Sequence, residues 1–211
     1  MIIATAARFR VFLGGSACAF VAAMTLSFAP LAANGEPFVY RIDSGATQVE
    51  YVAHAFGVID QRGRFADLRG TIVIDREMHT GDVDFEIDAR SIDSGWSRRD
   101  AFVRSEQMID AAHHPSIHFH SDRLVFSDGC LARIEGTLTL RGVTRAVVLT
   151  ITRVACGEAS DAPSQDCHAH ATATIRRSTF GMESFAPWVA DEVDLRFAVV
   201  AHRVPDAAAA R

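Results

Sequence analysis

Two histidine pairs and one charged cluster are the residues best suited to chemistry. His118-x-His120 and His168-x-His170 each set two imidazoles two residues apart. On an extended strand that spacing puts both rings on one face, and zinc accepts up to four such ligands. The phase of the neighbours argues against a joint site. Ile117, Phe119 and Ser121 take the inward positions around the first pair, which turns His118 and His120 outward. Ala169, Ala171 and Ile175 do the same for His168 and His170. By chain order two further strands separate the pairs. We read them as solvated surface histidines, place His113-His114 in a turn before Pro115, and expect no metal and no cofactor. Asp93, Arg99, Asp100 and Arg104 gather around a stretch without alternation. An acid-base pair is conceivable there; salt bridges that anchor a loop are the better reading. The chain has no G-x-S-x-G elbow, no H-E-x-x-H and no glycine-rich phosphate loop. We expect a binding protein without catalytic residues. The alternative is an enzyme acting on a hydrophobic small molecule with acid-base residues near Asp93 to Arg104.

The elements that would position these residues are mostly strands. Asp82 to Ala89 alternates most clearly, with Val83, Phe85, Ile87 and Ala89 against Asp82, Asp84, Glu86 and Asp88. That is a half-buried antiparallel strand with an acidic solvent face. Gly136 to Leu149 reads as two strands around a tight turn. Ile134, Leu138 and Leu140 face one way, as do Val147, Leu149 and Ile151, and Gly142 supplies the positive φ. Further strands are expected at Phe38 to Asp43, Gln48 to Ala55, Arg64 to Asp75, Ser116 to Phe126, His168 to Ile175 and Asp191 to Val204. Between them, Ser97 to Ala112 reads as one or two short helices. Ser97 would be the cap, Phe102, Met108 and Ile109 would face the body, and Pro115 would end the segment. No linker divides the chain and no repeat is visible. The expectation is an all-β antiparallel barrel of about eight strands with a short helical insertion, large enough to hold either packed side chains or one small ligand. The alternation does not distinguish a filled core from a lined cavity.

The ends and the cysteines bear on location. Arg8 and Arg10 precede an apolar run, Val11 to Leu31, and Leu31-Ala32-Ala33 supplies small residues before Asn34. Residues 1–33 therefore read as an export signal, an uncleaved anchor being the alternative. Cys18 sits in a poor lipidation context, with Gly15 where a lipobox has Leu. Cleavage leaves 19 basic and 26 acidic residues, a net charge of −7, which gives nucleic-acid binding no support. The basic residues are all Arg. Export permits disulfides. Cys156 and Cys167 flank a loop rich in Gly, Ser, Asp and Pro, so a bridge across its base is the first choice. Cys130 is then a free thiol or pairs with one of the other two. The tail 205–211 is expected to fray.

Several ordered motifs resemble the YceI-like family. They are GRFADLRGTI (Gly63 to Ile72), IDARSIDSG (Ile87 to Gly95), RRDAFVRSEQMID (Arg98 to Asp110) with HHP after it, the Gly142 turn, IRRSTFGM (Ile175 to Met182) and DEVDLRF (Asp191 to Phe197). The resemblance spans roughly Phe38 to Val204. It implies a hollow lipocalin-like barrel that holds a long polyisoprenoid lipid, usually in the bacterial periplasm. Expected lipid contacts are Val49, Tyr51, Phe65, Ile72, Val83, Phe85, Ile87, Phe119, Leu138, Leu140, Ile175, Phe180, Met182, Leu195 and Phe197. Many relatives carry a His where this chain has Ala55, so a polar contact at that end of the barrel is not expected from that position. No stable membrane anchor is expected after cleavage, and a homodimer is allowed.

Overall fold

The computed structural model describes residues 37–75, 77–156 and 166–204. The expected signal segment, the tail and loop residues 157–165 lie outside the described residues. The elements are β1 (Phe38–Ile42), β2 (Gln48–Ala55), β3 (Ile59–Phe65), β4 (Leu68–Asp75), β5 (Thr80–Asp88), β6 (Ile92–Asp93), α1 (Ser97–Arg104), β7 (Ser116–Ser127), β8 (Cys130–Leu140), β9 (Val143–Cys156), β10 (Asp166–Arg176) and β11 (Val189–Arg203). All pairings are antiparallel, and the sheet closes because β1 bonds both β4 and β11. One edge of β11 is taken by β10 over nearly its whole length. Strands β1 and β2 therefore share the other edge, β1 opposite Ala201 to Arg203 and β2 opposite Val189 to Ala198. In the same way β3 and β4 follow one another, and β6 carries on from β5. Eleven segments thus fill eight positions of a closed barrel, which leaves no long open edge.

Side chains make the breaks. Between β1 and β2 the fully buried Thr47 takes the place of a ladder residue. Its hydroxyl donates to the Val200 carbonyl and accepts from the Val200 amide at 3.2 and 3.1 Å. The expected single strand Arg64 to Asp75 is in fact two strands. At the break the Ala66 amide donates to Ser91 O and the Asp67 amide to Ser91 Oγ. Strand β3 also begins earlier than expected, at Ile59. Its inward residues are Gln61, Gly63 and Phe65, so apolar alternation is missing where the strand starts. At the β8–β9 hairpin Arg141 and Gly142 both have positive φ, 54° and 72°, the two-residue turn that matches strand twist.

Three glycines lie close against a neighbouring strand, two of them beneath an inward aromatic ring. A Cβ on Gly63 would meet the Tyr51 ring at 2.5 Å, one on Gly70 would meet Asp84 O at 2.2 Å and Phe85 Cα at 2.7 Å, and one on Gly136 would meet His120 O at 2.3 Å and Phe119 at 2.7 Å. The missing side chains let the rings lie against the wall. Gly70→Ala is expected to destabilise the barrel by about 1–3 kcal/mol through overpacking, read as a lower urea midpoint. An unchanged midpoint would show that the β4–β5 wall has slack.

The helical insertion is shorter than expected. Helix α1 ends at Arg104, where Ser105 Oγ donates to Phe102 O at 2.6 Å and so competes with the ladder; turns carry the chain to Pro115. Ser97 is not the cap. Trp96 holds that position without a side-chain bond, its indole having no acceptor to offer; nearby, the Asp100 carboxylate accepts from the Ser94 amide at 2.8 Å and from Ser94 Oγ. Arg99 donates to Gln61 Oε1 and to Ser94 O, both at 2.6 Å. Asp93 accepts from Arg64 and from the Gly95 amide, each at 2.9 Å. The charged cluster therefore fixes the insertion against β3.

At the other end of the barrel Cys156 and Cys167 are register partners on β9 and β10, with Cα atoms 4.0 Å apart, and are joined by a disulfide. Cys130 is exposed and free. Replacing both bridged cysteines by Ser is expected to cost about 2–3 kcal/mol, mostly by restoring freedom to the unfolded loop. Equal stability of the oxidised and reduced protein would contradict this.

Candidate functional site

The lumen holds two apolar chambers. One, of about 190 Å³, lies at the helical end. Val49, Tyr51 and Ala53 of β2, Ile87 of β5, Leu138 and Leu140 of β8 and Val193 and Leu195 of β11 form its wall, and Phe102, Val103, Met108 and Ile109 of the insertion close it. The other, of about 80 Å³, lies at the disulfide end between Ile72, Ile74, Val83, Ile134, Leu149, Ile151 and the Cys156–Cys167 bridge. Phe85 and Phe197 line both chambers. Their rings are 5.7 Å apart, and Phe85 stacks on Phe119 at 5.0 Å. They form a waist across the barrel.

Val49, Tyr51, Phe65, Ile87, Leu138, Leu140, Ile175, Met182 and Leu195 line the helical-end chamber, Ile72 and Val83 the other, and Phe85 and Phe197 both. Phe119 and Phe180 line neither. Both are almost fully buried, Phe119 behind Phe85 and Phe180 in the turn before Gly181. Alternation cannot tell a lining residue from one that packs behind it.

Three lining residues are polar, Gln61, Arg99 and Arg177; of these the sequence singled out only Arg99, as part of the charged cluster of the insertion. Arg177 is 3% exposed. Its guanidinium donates to the carbonyls of Met182, Ser184, Val189 and Ala190 at 2.6–3.0 Å and so ties the β10–β11 loop over the chamber. The signal for it was present, since Ala173, Ile175 and Arg177 share one phase. Ala55 is buried between Val189 and Ile59, and His54 points outward to Asp60 at 2.9 Å. At the rim of this end Phe56, Trp188, Phe185 and Trp96 are exposed; Phe56 packs on Trp188 and Phe185 on Phe102.

The outer face is polar. His118 and His120 point outward and both reach Asp84, at 3.1 and 3.2 Å, while β10 carries His168 and His170 elsewhere on the wall. Among the described residues no three His, Cys, Asp or Glu side chains are grouped to hold a metal, and no helix is long and apolar enough to cross a membrane.

A closed antiparallel barrel with an apolar lumen under a polar exterior defines the lipocalin-like class of β-barrels. Residues 40–201 match the model of the YceI-like domain, and the chain belongs to that family. A UPF0312 protein of Pseudomonas aeruginosa (strain LESB58) is 28% identical over 165 residues, covering 76% of this chain and 84% of the relative. A UPF0312 protein of Vibrio cholerae is 27% identical over 130 residues, covering 61% and 69%. Among solved structures, BcnA of Burkholderia cenocepacia superposes with a TM-score of 0.63 at 22% identity, over 75% of this chain and 98% of BcnA. A polyisoprenoid binding domain from Saccharophagus degradans implicated in plant cell wall breakdown superposes with a TM-score of 0.59 at 15% identity, over 78% and 98%. These likenesses show the fold.

Proposed function

We propose that this protein binds one long isoprenoid lipid, of quinone or polyprenyl type, in its lumen and sequesters or carries it through the periplasm without catalysis. The observation that carries this reading is the pair of apolar chambers in line along a closed barrel. Each square ångström of hydrocarbon buried there contributes about 25 cal/mol. The described similarity to a polyisoprenoid binding domain supports the ligand class, and the Cys156–Cys167 bridge suits an oxidising compartment. Each chamber is smaller than the roughly 300–1,000 Å³ usual for small-molecule sites, so a long chain must occupy both. Phe85 and Phe197 then have to turn aside, and a guest confined to one chamber would be short. Asp93, Arg99 and Asp100 bond Arg64, Gln61 and Ser94 and so hold the insertion in place, and the enzyme reading draws no support from that geometry.

Titration of delipidated protein with isoprenoids of increasing length tests the reading. Affinity should rise with each added unit until both chambers are filled and then level off, at one lipid per chain. Affinity independent of length, or no binding at any length, would refute it.

A further inference from the structure

Among the described residues nine large apolar side chains are exposed, and six of them sit at the helical end of the barrel: Phe56, Val58, Ile59, Trp96, Phe185 and Trp188. They come from three separate segments. Phe56, Val58 and Ile59 belong to the β2–β3 turn and the start of β3, Trp96 precedes α1, and Phe185 and Trp188 lie in the β10–β11 loop. Phe56 packs on Trp188, and Phe185 packs on Phe102, which closes the helical-end chamber. The patch therefore borders the mouth of that chamber. Apolar side chains gathered in this way mark an interaction surface, whereas single scattered ones do not.

The backbone holds the rings out. Phe56 and Phe185 have φ of 53° and 67°, a left-handed conformation that is unfavourable for a bulky side chain. In water an exposed ring returns nothing for that strain. The charge pattern fits a lipid surface. Residues 56–59 and 184–190 carry no charged side chain. Asp60 follows the first stretch and is paired with His54 and Arg62, at 2.9 and 3.0 Å. Glu183 and Arg98, each two residues from a rim aromatic, bring one charge of each sign. Both tryptophans of the chain are in the patch, 57% and 59% exposed, and tryptophan is the side chain most at home where water meets lipid. Tips on separate segments suit a fluid apolar layer, which needs no matching pockets. The described chain stops or resumes at residues 37, 75, 77, 156, 166 and 204, all at the disulfide end, so no other segment adjoins the patch in sequence. We propose that this rim is a membrane-docking surface, by which the barrel reversibly seats its helical end on a lipid bilayer. On the lipid-binding reading above, the chamber mouth then opens onto the layer from which the guest is taken.

Tryptophan emission reports on the rim alone. Titration of the protein with vesicles of phosphatidylethanolamine and phosphatidylglycerol, free of isoprenoid, should shift that emission to the blue, and brominated acyl chains should quench it. Val58→Gln and Trp188→Gln should each weaken partitioning, read by sedimentation with the vesicles, about tenfold. Val148→Gln, exposed on the outer wall of β9, should leave it unchanged, as should salt raised to about 0.5 M. Thermal midpoints near the wild type establish that the variants fold. A wild type with neither shift nor quenching would overturn the proposal, as would rim variants that partition like the wild type. Binding abolished by salt would assign the contact to the charged wall and overturn it too. So would a wild-type dimer that Trp188→Gln dissociates and that ignores vesicles, since the rim would then meet a second copy. The vesicles carry no isoprenoid, so none of these outcomes decides whether the lumen holds one.

Discussion

Phe85→Asp will leave the barrel unable to retain its lipid. The substitution places a carboxylate at the waist, against the rings of Phe119 and Phe197. An unpaired charge against hydrocarbon costs several kcal/mol, which corresponds to a loss of affinity on the order of a hundredfold or more. Glu86 is the control. It faces outward, accepts from Ser116 Oγ and pairs with Arg69 at 3.3 Å, so Glu86→Gln should retain lipid near the wild-type level. Phe85→Leu keeps the waist apolar and should also retain it, which separates lost binding from lost folding. Equal retention by the Asp and Gln variants would show that the inward face of β5 does not hold the guest.

Arg177→Met should be the most damaging single change to stability. It removes the guanidinium bonds to the carbonyls of Met182, Ser184, Val189 and Ala190. Stranding several partly buried acceptors is expected to cost about 3 kcal/mol or more. Met182 and Val189 line the helical-end chamber, so loosening the loop should also raise the rate of lipid release. A variant with an unchanged unfolding midpoint and unchanged release would mean the loop is held by other contacts.

Much of this fold was legible because alternation is local. Val83, Phe85 and Ile87 could only face the core once Asp82, Asp84 and Glu86 faced water, and the Arg141-Gly142 turn fixed the register of the next hairpin. Strand β3 was not legible, because its inward positions hold Gln61 and Gly63 and the alternation that marks a strand is absent. The break between β3 and β4 was hidden for another reason: it depends on hydrogen bonds from Ala66 and Asp67 to Ser91, distant in sequence. The site divided in the same way. Phase alone placed Val49, Leu138 and Leu195 inward. The waist could not be read, since it depends on Phe85 and Phe197 meeting across the barrel. Arg99 was legible as a charged residue of the insertion, but strand phase could not show that it lines the chamber, since it reaches it from a helix.

The central claim is that the lumen carries an isoprenoid, and the most direct test is the content of the lumen. Protein purified from its native host should be extracted with organic solvent and the extract analysed by mass spectrometry. The account predicts one isoprenoid lipid per chain in the wild type and its loss in Phe85→Asp prepared alongside. An extract without lipid from the folded wild type, or a lipid recovered equally from Phe85→Asp, would contradict it.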